Sequence, residues 1–373
     1  MDRPVRSMDR ELYIGDDRIA DDGDCYVIAE VGHNHQGSVE KAMQLFEAAK
    51  DSGAHAVKLQ KRSNRELYTR EYYTRPYDHE NSYGQTYGEH REFLEFERGE
   101  YRELQSYAAE IGITFFATAF DPTSVEFCED LDMPAYKVAS ADLKNLPLLR
   151  LIAQTGKPII MSTGAATLAD VRRGYEAVAE VNPNIALLQC TAVYPPDWEE
   201  LDLRVIETYR ELFPGAVVGL SSHDNGIAMA LAAFMLGGRI VEKHFTLNRA
   251  WKGTDQSFSL EPQGLEKMIR DLRRTRRALG DGQKRIYPSE TAATVKMGKK
   301  LVAARDLAPG ETLTADDIAS RSPGDGVPPC ELDKFIGRRL RQAVGADQAL
   351  SFEMIDELAS LERELAQSTA SSR

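Results

Sequence analysis

The sequence has few cysteines, no long apolar run and no excess of positive charge. Its 373 residues include four cysteines, Cys25, Cys128, Cys190 and Cys330, and no two of them form a C-x-x-C pair. Sparse, scattered cysteines are typical of reducing compartments, so we expect four buried thiols without disulfides. Nowhere do about eighteen apolar residues follow one another, and the N-terminus carries no apolar segment. We therefore expect a cytoplasmic protein without a membrane span or a secretion signal.

The charge balance argues against polyanionic partners. Lys and Arg number 46 against 59 Asp and Glu, which gives a net charge of −13. This excess of negative charge disfavours binding to nucleic acid or to an anionic membrane. An acidic substrate would need a local cluster of cations.

Buried strands alternate with helices through most of the chain. Helices are predicted at Val39–Lys50, Gly226–Gly238 and Pro262–Gly280. Eight alternations with nearly continuous apolar strands favour an α/β fold, a closed (β/α)₈ TIM barrel, over an open doubly wound sheet. The eight predicted strands are Cys25–Gly32, Ala56–Gln60, Thr114–Phe120, Ala135–Ser140, Pro158–Thr163, Ile185–Ala192, Val217–His223 and Ile240–Thr246.

The remaining segments suggest a second domain and a lid. We expect an extension with a small hairpin at 1–24, the barrel at 25–280, a linker at 281–296, a small domain at 297–359 and a polar tail at 360–373. After Gln60, about thirty residues rich in tyrosine and arginine precede a long helix predicted near His90–Gly112. This segment is predicted to be a lid or a subunit contact.

Two predicted strands end in histidine, at His223 and at His244. The helix between them makes the strands parallel, so both imidazoles reach the edge of the barrel where active sites form. Neutral imidazole binds divalent transition metals. The pair therefore predicts a metal site, although each histidine alone could be an ordinary packed residue.

Most other strands also end in polar groups. Lys58 and Lys137 lie within apolar strands, where each must meet an anion, either a substrate or a structural Asp or Glu. With neighbouring hydroxyls they could hold phosphate and carboxylate oxygens beside a metal that polarises a carbonyl, which suits phosphoenolpyruvate and an aldehyde. Glu30 is a candidate general acid or base, or a salt-bridge partner of the lysines. The other candidates are Gln60, Thr118, Ser140, Asp142, Ser162 and Tyr194.

At these residues the chain resembles the sialic acid synthases, which include N-acetylneuraminate, legionaminate and pseudaminate synthases. The resemblance covers nearly the whole chain. It rests on seven ordered motifs, Ala29–Gly37 (AEVGHNHQG), Val57–Gln60 (VKLQ), Tyr136–Ser140 (YKVAS), Met161–Gly164 (MSTG), Gly219–His223 (GLSSH), Glu242–Thr246 (EKHFT) and Gly253–Asp255 (GTD).

The resemblance implies a barrel followed by an antifreeze-like (SAF) domain, in a domain-swapped homodimer whose small domains close the partners' active sites. His223 and His244 would hold manganese, with magnesium or cobalt as other candidates. Glu30 matches the family's acid/base carboxylate. Phosphoenolpyruvate would be bound by Lys58, Lys137, Thr118, Ser140 and Ser162, and the sugar would be contacted by Gln60, Tyr194 and Asp255.

The reaction implied is the condensation of phosphoenolpyruvate with the open-chain aldehyde of an N-acylated hexosamine similar to N-acetylmannosamine. Carbon 3 of phosphoenolpyruvate attacks the aldehyde, water adds at carbon 2, and phosphate leaves with its bridging oxygen. The product is a nonulosonate of the sialic acid type.

Three positions depart from the family's pattern. Asp142 stands where the bacterial synthases usually have glutamate, and Ser322 stands where the family has a sugar-binding arginine, with Arg321 beside it. The third is His33, where the family has a small or apolar residue. These departures leave open a synthase for another aldose acceptor or a carbohydrate-binding protein without turnover.

Two other enzyme classes are compatible with parts of the pattern. His33-x-His35 and Lys137 resemble features of metal-dependent amidohydrolases, but the predicted fifth and sixth strands lack the histidines those enzymes need. A Schiff-base aldolase acting through Lys58 or Lys137 would need no metal.

Overall fold

The structure, a computed structural model, describes residues 10–356, so the tail predicted at 360–373 lies outside the described residues. The chain divides into two compact units, Met1–Gly280 and Asp281–Arg373. Within residues 10–356 no helix combines the length and the apolarity that crossing a membrane requires.

A closed barrel of eight parallel strands forms the first unit and confirms the predicted fold class. The barrel closes where β10 pairs with β3, with His244 opposite Glu30. Both faces of these strands are covered, which explains their continuous apolar character. The barrel strands are β3 (Tyr26–Gly32), β4 (Ala56–Lys61), β5 (Thr114–Ala119), β6 (Tyr136–Val138), β7 (Ile159–Ser162), β8 (Ile185–Cys190), β9 (Val217–Ser222) and β10 (Ile240–His244).

The barrel is preceded by a hairpin of β1 (Glu11–Ile14) and β2 (Asp17–Ala20), which was expected from the sequence. Gly15 takes a positive φ of 58° in its turn. Leu12, Ile14 and Ile19 are buried in the same core as the barrel strands. The hairpin therefore packs as an integral part of this unit.

Six helices of the first unit begin at a residue whose side-chain oxygen accepts a backbone hydrogen bond from the first turn. In α1, for example, the hydroxyl of Ser38 accepts a hydrogen bond from the backbone N–H of Lys41 at 3.2 Å. The helices are α1 (Val39–Asp51), α2 (Asn64–Leu67), α3 (Arg70–Thr74), α4 (Tyr87–Phe93), α5 (Arg98–Ile111), α6 (Pro122–Asp130), α7 (Leu146–Ala153), α8 (Leu168–Ala179), α9 (Val205–Leu212), α10 (Ala228–Met235) and α11 (Pro262–Ala278).

The prediction of one long helix near His90–Gly112 is wrong, because the helical structure is interrupted between α4 and α5. At the break the backbone carbonyl of Phe96 accepts a hydrogen bond from Lys61 Nζ at 2.9 Å, and Glu95 accepts one at 3.2 Å. A buried lysine thus takes up a carbonyl that a continuous helix would have used. Glu97 and Glu100 then form a capping box that starts α5.

The second unit has a small core of its own, which includes Leu301, Leu313, Phe335 and Leu340. Its regular elements are α12 (Thr291–Met297) and the antiparallel pair β11 (Lys300–Ala303) and β12 (Ile318–Arg321). The stretch predicted as a linker, 281–296, therefore contains most of a helix.

The expectation of four buried thiols is correct for three of the cysteines. Cys25, Cys128 and Cys190 are buried, whereas Cys330 is exposed in the second unit. All four are free, as their spacing predicted.

Candidate active site

A cavity of about 480 Å³ opens at the carboxyl ends of the barrel strands. Every strand of the barrel contributes at least one lining side chain, because parallel strands all end at the same rim. The lining side chains from the strands are Glu30, Lys58, Gln60, Thr118, Lys137, Ser162, Cys190, Ser221, Glu242 and His244.

Glu30 is held at the rim by two neighbours on β4. Its Oε2 lies 2.5 Å from Lys58 Nζ, and its Oε1 accepts a hydrogen bond from Gln60 Nε2 at 2.6 Å. Lys58 also donates to Thr118 at 2.7 Å. The register of β3 shifts just after Glu30, at Gly32, whose φ is +53°. A side chain at Gly32 would press on Glu30 and Gln60, so glycine leaves room for this arrangement.

A second lysine and carboxylate lie across the cavity. Lys137 Nζ donates to Ser162 at 2.6 Å and lies 3.7 Å from Glu242, which also accepts from Ser221 at 3.3 Å. Burial lowers the pKa of Lys137, although Glu242 opposes that shift. Burial alone would raise the pKa of Glu242, but Lys137 and Lys58 lower it overall. Both lysines thus have a carboxylate partner, one of the two kinds of anion expected for them.

The structure brings His223 and His244 together, with ring centroids 5.3 Å apart. Nδ1 of His223 donates to the backbone carbonyl of Thr191 at 3.0 Å, which leaves the lone pair on Nε2 when the ring is neutral. Burial, with His244 nearby, lowers the pKa of His223 to about 3. Tyr194 packs on His223 at a centroid distance of 4.0 Å. A neutral imidazole with a fixed tautomer is the form that binds metal.

The donor set around these histidines fits a divalent ion with two protein ligands. Nδ1 of His244 is buried without a hydrogen-bond partner and lies 3.6 Å from a carboxylate oxygen of Asp255. Within residues 10–356 no group of three or more His, Cys, Asp or Glu side chains converges as a metal site. Water or substrate oxygens would therefore complete the coordination of a bound ion.

Of the remaining predicted residues, one does not line the cavity and two belong to the second unit. Ser140 lines the cavity, but Asp142, two residues on, does not, and it accepts from Asn145 at 3.3 Å. Burial raises the pKa of Asp142. In the second unit, Arg321 forms an ion pair with Asp347 at 2.7 Å, and Ser322 accepts from Lys299 at 2.7 Å.

Sequence reasoning missed Glu242, Arg62 and Arg91, all of which line the cavity. Glu242 could have been found, because it precedes His244 by two residues and so shares the inward face of its strand. The arginines lie in the tyrosine-rich segment and carried no such periodic signal. Both contact His33, whose two ring nitrogens lie 3.1 Å from Arg62 and 3.2 Å from Arg91. These contacts do not suit His33 as the metal ligand that the amidohydrolase alternative requires.

Comparison with known proteins agrees with this geometry. The profile of the NeuB family matches residues 45–284, and the SAF domain profile matches residues 300–356. N-acetylneuraminate-9-phosphate synthase of Homo sapiens is 40% identical over 333 residues, covering 89% of this chain and 93% of that protein. N,N'-diacetyllegionaminic acid synthase of Campylobacter jejuni is 33% identical over 316 residues, covering 84% and 94%.

A solved structure of a sialic acid synthetase is also similar to this chain. The N-acetylneuraminic acid synthetase of Leptospira borgpetersenii, solved in complex with citrate, superposes with a TM-score of 0.68 at 27% identity, covering 78% of this chain and 96% of that one. Fold and site together define a barrel enzyme of the synthase type. The chain belongs to the NeuB family of sialic acid synthases, with a C-terminal SAF domain.

The buried pair of Glu30 and Lys58 predicts strong coupling between the two charges. We expect E30Q and K58M each to lower the free energy of unfolding by about 3–5 kcal/mol, because each leaves one buried charge without its partner. The double variant should lose clearly less than the sum of the two. Urea unfolding followed by the fluorescence of Trp198 and Trp251, which both lie in the barrel unit, measures these values.

An exposed ion pair is the matched control. Arg98 and Asp130 approach to 2.5 Å at the surface, so replacing either should change stability little and without coupling. Additive losses for the Glu30 and Lys58 variants would contradict the assignment of a mutually dependent buried pair.

Proposed function

We propose that the cavity condenses phosphoenolpyruvate with the open-chain aldehyde of an N-acylated hexosamine, giving a nonulosonate and phosphate. The observation that carries this proposal is the convergence of two buried lysine–glutamate pairs with the His223–His244 pair around one cavity. Ammonium and hydroxyl groups suit the oxygens of phosphoenolpyruvate, and the imidazoles suit a dication beside the aldehyde.

In this proposal the lysines and hydroxyls of the cavity bind phosphoenolpyruvate. Lys58 with Thr118 and Lys137 with Ser162 form two donor pairs, with N to O distances of 2.7 and 2.6 Å, that hold the carboxylate and phosphate of phosphoenolpyruvate. Ser140 lines the same cavity and adds a hydroxyl. The double bond is thereby fixed with carbon 3 towards the acceptor aldehyde.

Carbon 2 becomes cationic when carbon 3 attacks the aldehyde. Two buried carboxylates, Glu30 and Glu242, lie on the cavity wall and stabilise that developing charge. In this proposal Glu30 also removes a proton from the water that adds at carbon 2. Gln60 fixes its orientation through the 2.6 Å hydrogen bond. Phosphate then leaves with the bridging oxygen.

A divalent ion held by His223 and His244, manganese or alternatively magnesium or cobalt, would polarise the aldehyde carbonyl when bound. Asp255 lies 3.6 Å from His244 and lines the cavity, so it orients that imidazole or contacts a sugar hydroxyl. Tyr194 covers His223 with its ring and narrows the space above the imidazoles.

The proposed acceptor is an N-acylated hexosamine, and the relatives differ in whether the product they are named for carries a phosphate. The human and mouse relatives, both 40% identical, are named for a 9-phosphate product. The legionaminic and pseudaminic acid synthases, at 30–33% identity, are named for products without phosphate. Because phosphoenolpyruvate supplies carbons 1 to 3 of the product, a 9-phosphate corresponds to phosphate on carbon 6 of the hexosamine.

The bond that breaks tests the reaction directly. With phosphoenolpyruvate carrying ¹⁸O in the bridge between carbon 2 and phosphorus, we expect the label in the released phosphate, because the C–O bond is cleaved. Mass spectrometry of phosphate formed with N-acetylmannosamine or its 6-phosphate measures this. A Schiff-base aldolase would instead use pyruvate and be trapped by borohydride. Unlabelled phosphate formed together with ¹⁸O-labelled pyruvate would indicate cleavage of the P–O bond and would refute the proposal. A carbohydrate-binding protein without turnover would release no phosphate.

Metal binding has a test that does not depend on turnover. We expect H223A to lose Mn²⁺ affinity by at least about 100-fold, because one of only two protein ligands is removed. Titration calorimetry of the chelator-treated protein with MnCl₂ measures the affinity. H79A is the matched control, since His79 is exposed and outside the cavity. Equal affinities of H223A and the wild type, or full turnover after exhaustive chelation, would overturn the metal assignment.

We also propose a homodimer in which each second unit closes the partner's cavity, with Arg321 or Ser322 reaching the sugar. The support is the SAF domain at residues 300–356 and the presence of both residues on its surface. Light scattering should give twice the mass of the chain, and dilution below the dimer's dissociation constant should abolish turnover. A monomer with undiminished activity would exclude this arrangement.

A further inference from the structure

The cavity is lined by two guanidinium groups in addition to the two lysine–glutamate pairs. Arg62, Arg91 and His33, which we call the arginine cluster, lie side by side at the end of β4 and on α4. Arg62 is only 7% exposed, and its guanidinium lies over the ring of Phe120 at 3.8 Å. A guanidinium buried to this extent normally has a carboxylate or another anion as its partner.

Within residues 10–356 neither guanidinium forms an ion pair with a carboxylate. Arg62 donates to the amide oxygen of Gln60 at 2.7 Å, and Arg91 donates to the hydroxyl of Tyr87 at 3.0 Å. The nearby carboxylate, Glu95, is bound by Lys61 at 3.2 Å. The charges of Glu95 and Asp255 act on Arg62 and Arg91, respectively, but neither carboxylate lies within ion-pair distance of these guanidiniums. In a chain whose net charge is −13, these two guanidiniums provide the local positive charge that an acidic substrate requires.

His33 cannot satisfy both arginines. Its Nε2 lies 3.1 Å from Arg62 and its Nδ1 lies 3.2 Å from Arg91. Burial and the two guanidiniums hold the pKa of His33 well below its usual range, so the ring is neutral and has one accepting nitrogen. One of the two arginines thus meets an N–H group of the histidine. An anion with several oxygens would accept from both guanidiniums and relieve this conflict.

The arginine cluster is connected to the reaction centre by a chain of hydrogen bonds. Arg62 contacts Gln60, and Gln60 donates to Glu30 at 2.6 Å. The side-chain amide of Gln60 therefore links the arginine cluster to Glu30, the proposed acid/base carboxylate. The cluster is also separate from Lys58 and Lys137, whose donors serve phosphoenolpyruvate in the proposed reaction. The remaining anion would belong to the acceptor.

We propose that Arg62 and Arg91 bind a phosphate monoester on the acceptor hexosamine, at the end of the sugar away from the aldehyde, so that the physiological acceptor is a phosphorylated N-acylhexosamine. This inference rests on the proposed function, because it assigns the second substrate of the same cavity. A bidentate guanidinium is well matched to phosphate oxygens, and burial strengthens the interaction.

The test compares acceptors and variants under saturating phosphoenolpyruvate and metal. The wild type should use N-acetylmannosamine 6-phosphate with a kcat/KM about 100-fold or more above that of N-acetylmannosamine. R91Q should reduce this ratio by about 10- to 100-fold, chiefly through the KM of the phosphorylated sugar, while R91K recovers part of it because lysine keeps the charge. The KM for phosphoenolpyruvate should change less than about threefold.

R65Q is the matched control. Arg65 is exposed, does not line the cavity and packs over the ring of Tyr73 at 4.6 Å, so its loss should leave the acceptor ratio unchanged. Thermal unfolding shows whether R91Q is folded. If it is not, R91K still tests the site, and the ratio of kcat/KM values for the two sugars in the wild type tests it without any variant.

The outcomes separate the two proposals. Equal or better use of the unphosphorylated sugar by the wild type would overturn the phosphate site and leave the condensation intact. A rise in the KM for phosphoenolpyruvate in R91Q, without a change in the acceptor ratio, would assign the arginines to phosphoenolpyruvate and equally overturn the site. No phosphate release with either sugar would refute the proposed function, and the acceptor site with it.

Discussion

Two ammonium groups buried inside a barrel set the main constraint on this structure. Lys58 and Lys137 are 2% and 3% exposed, and an isolated charge so deeply buried would be strongly destabilising. Each is therefore paired with a glutamate, Glu30 or Glu242, and with a hydroxyl from a neighbouring strand. The barrel tolerates this only because parallel strands bring all these side chains to one rim. The same pairing places opposite charges where an enol phosphate can be held.

The rim also joins groups with different chemical preferences. The imidazoles of His223 and His244 share one wall with Tyr194, while the arginine cluster is linked to Glu30 through Gln60. Among the described residues, both lysines form ion pairs with carboxylates, whereas neither arginine does. This contrast in ion pairing is the reason for assigning the arginines to an anionic ligand in our proposal.

The break between α4 and α5 shows how a buried charge shapes the backbone. Lys61 donates to the carbonyl of Phe96 and to the carboxylate of Glu95, and both acceptors lie between the end of α4 and the start of α5. The break lies just after Arg91, at the end of α4. The tyrosine-rich segment thus folds into short helices that bring an arginine to the cavity, instead of remaining an open loop.

The sequence by itself determined the barrel, because eight apolar strands alternating with capped helices leave few other ways to bury them. It also identified Glu30, Lys58, Lys137, His223 and His244 as rim residues, since each follows from a strand's inward face or its end. Tertiary structure alone decided the rest. Which carboxylate pairs with which lysine depends on strand neighbours distant in the chain, and Asp142 does not line the cavity although it is close in sequence to Ser140. Arg62 and Arg91 lack any periodic signal, so only folding shows that both reach His33.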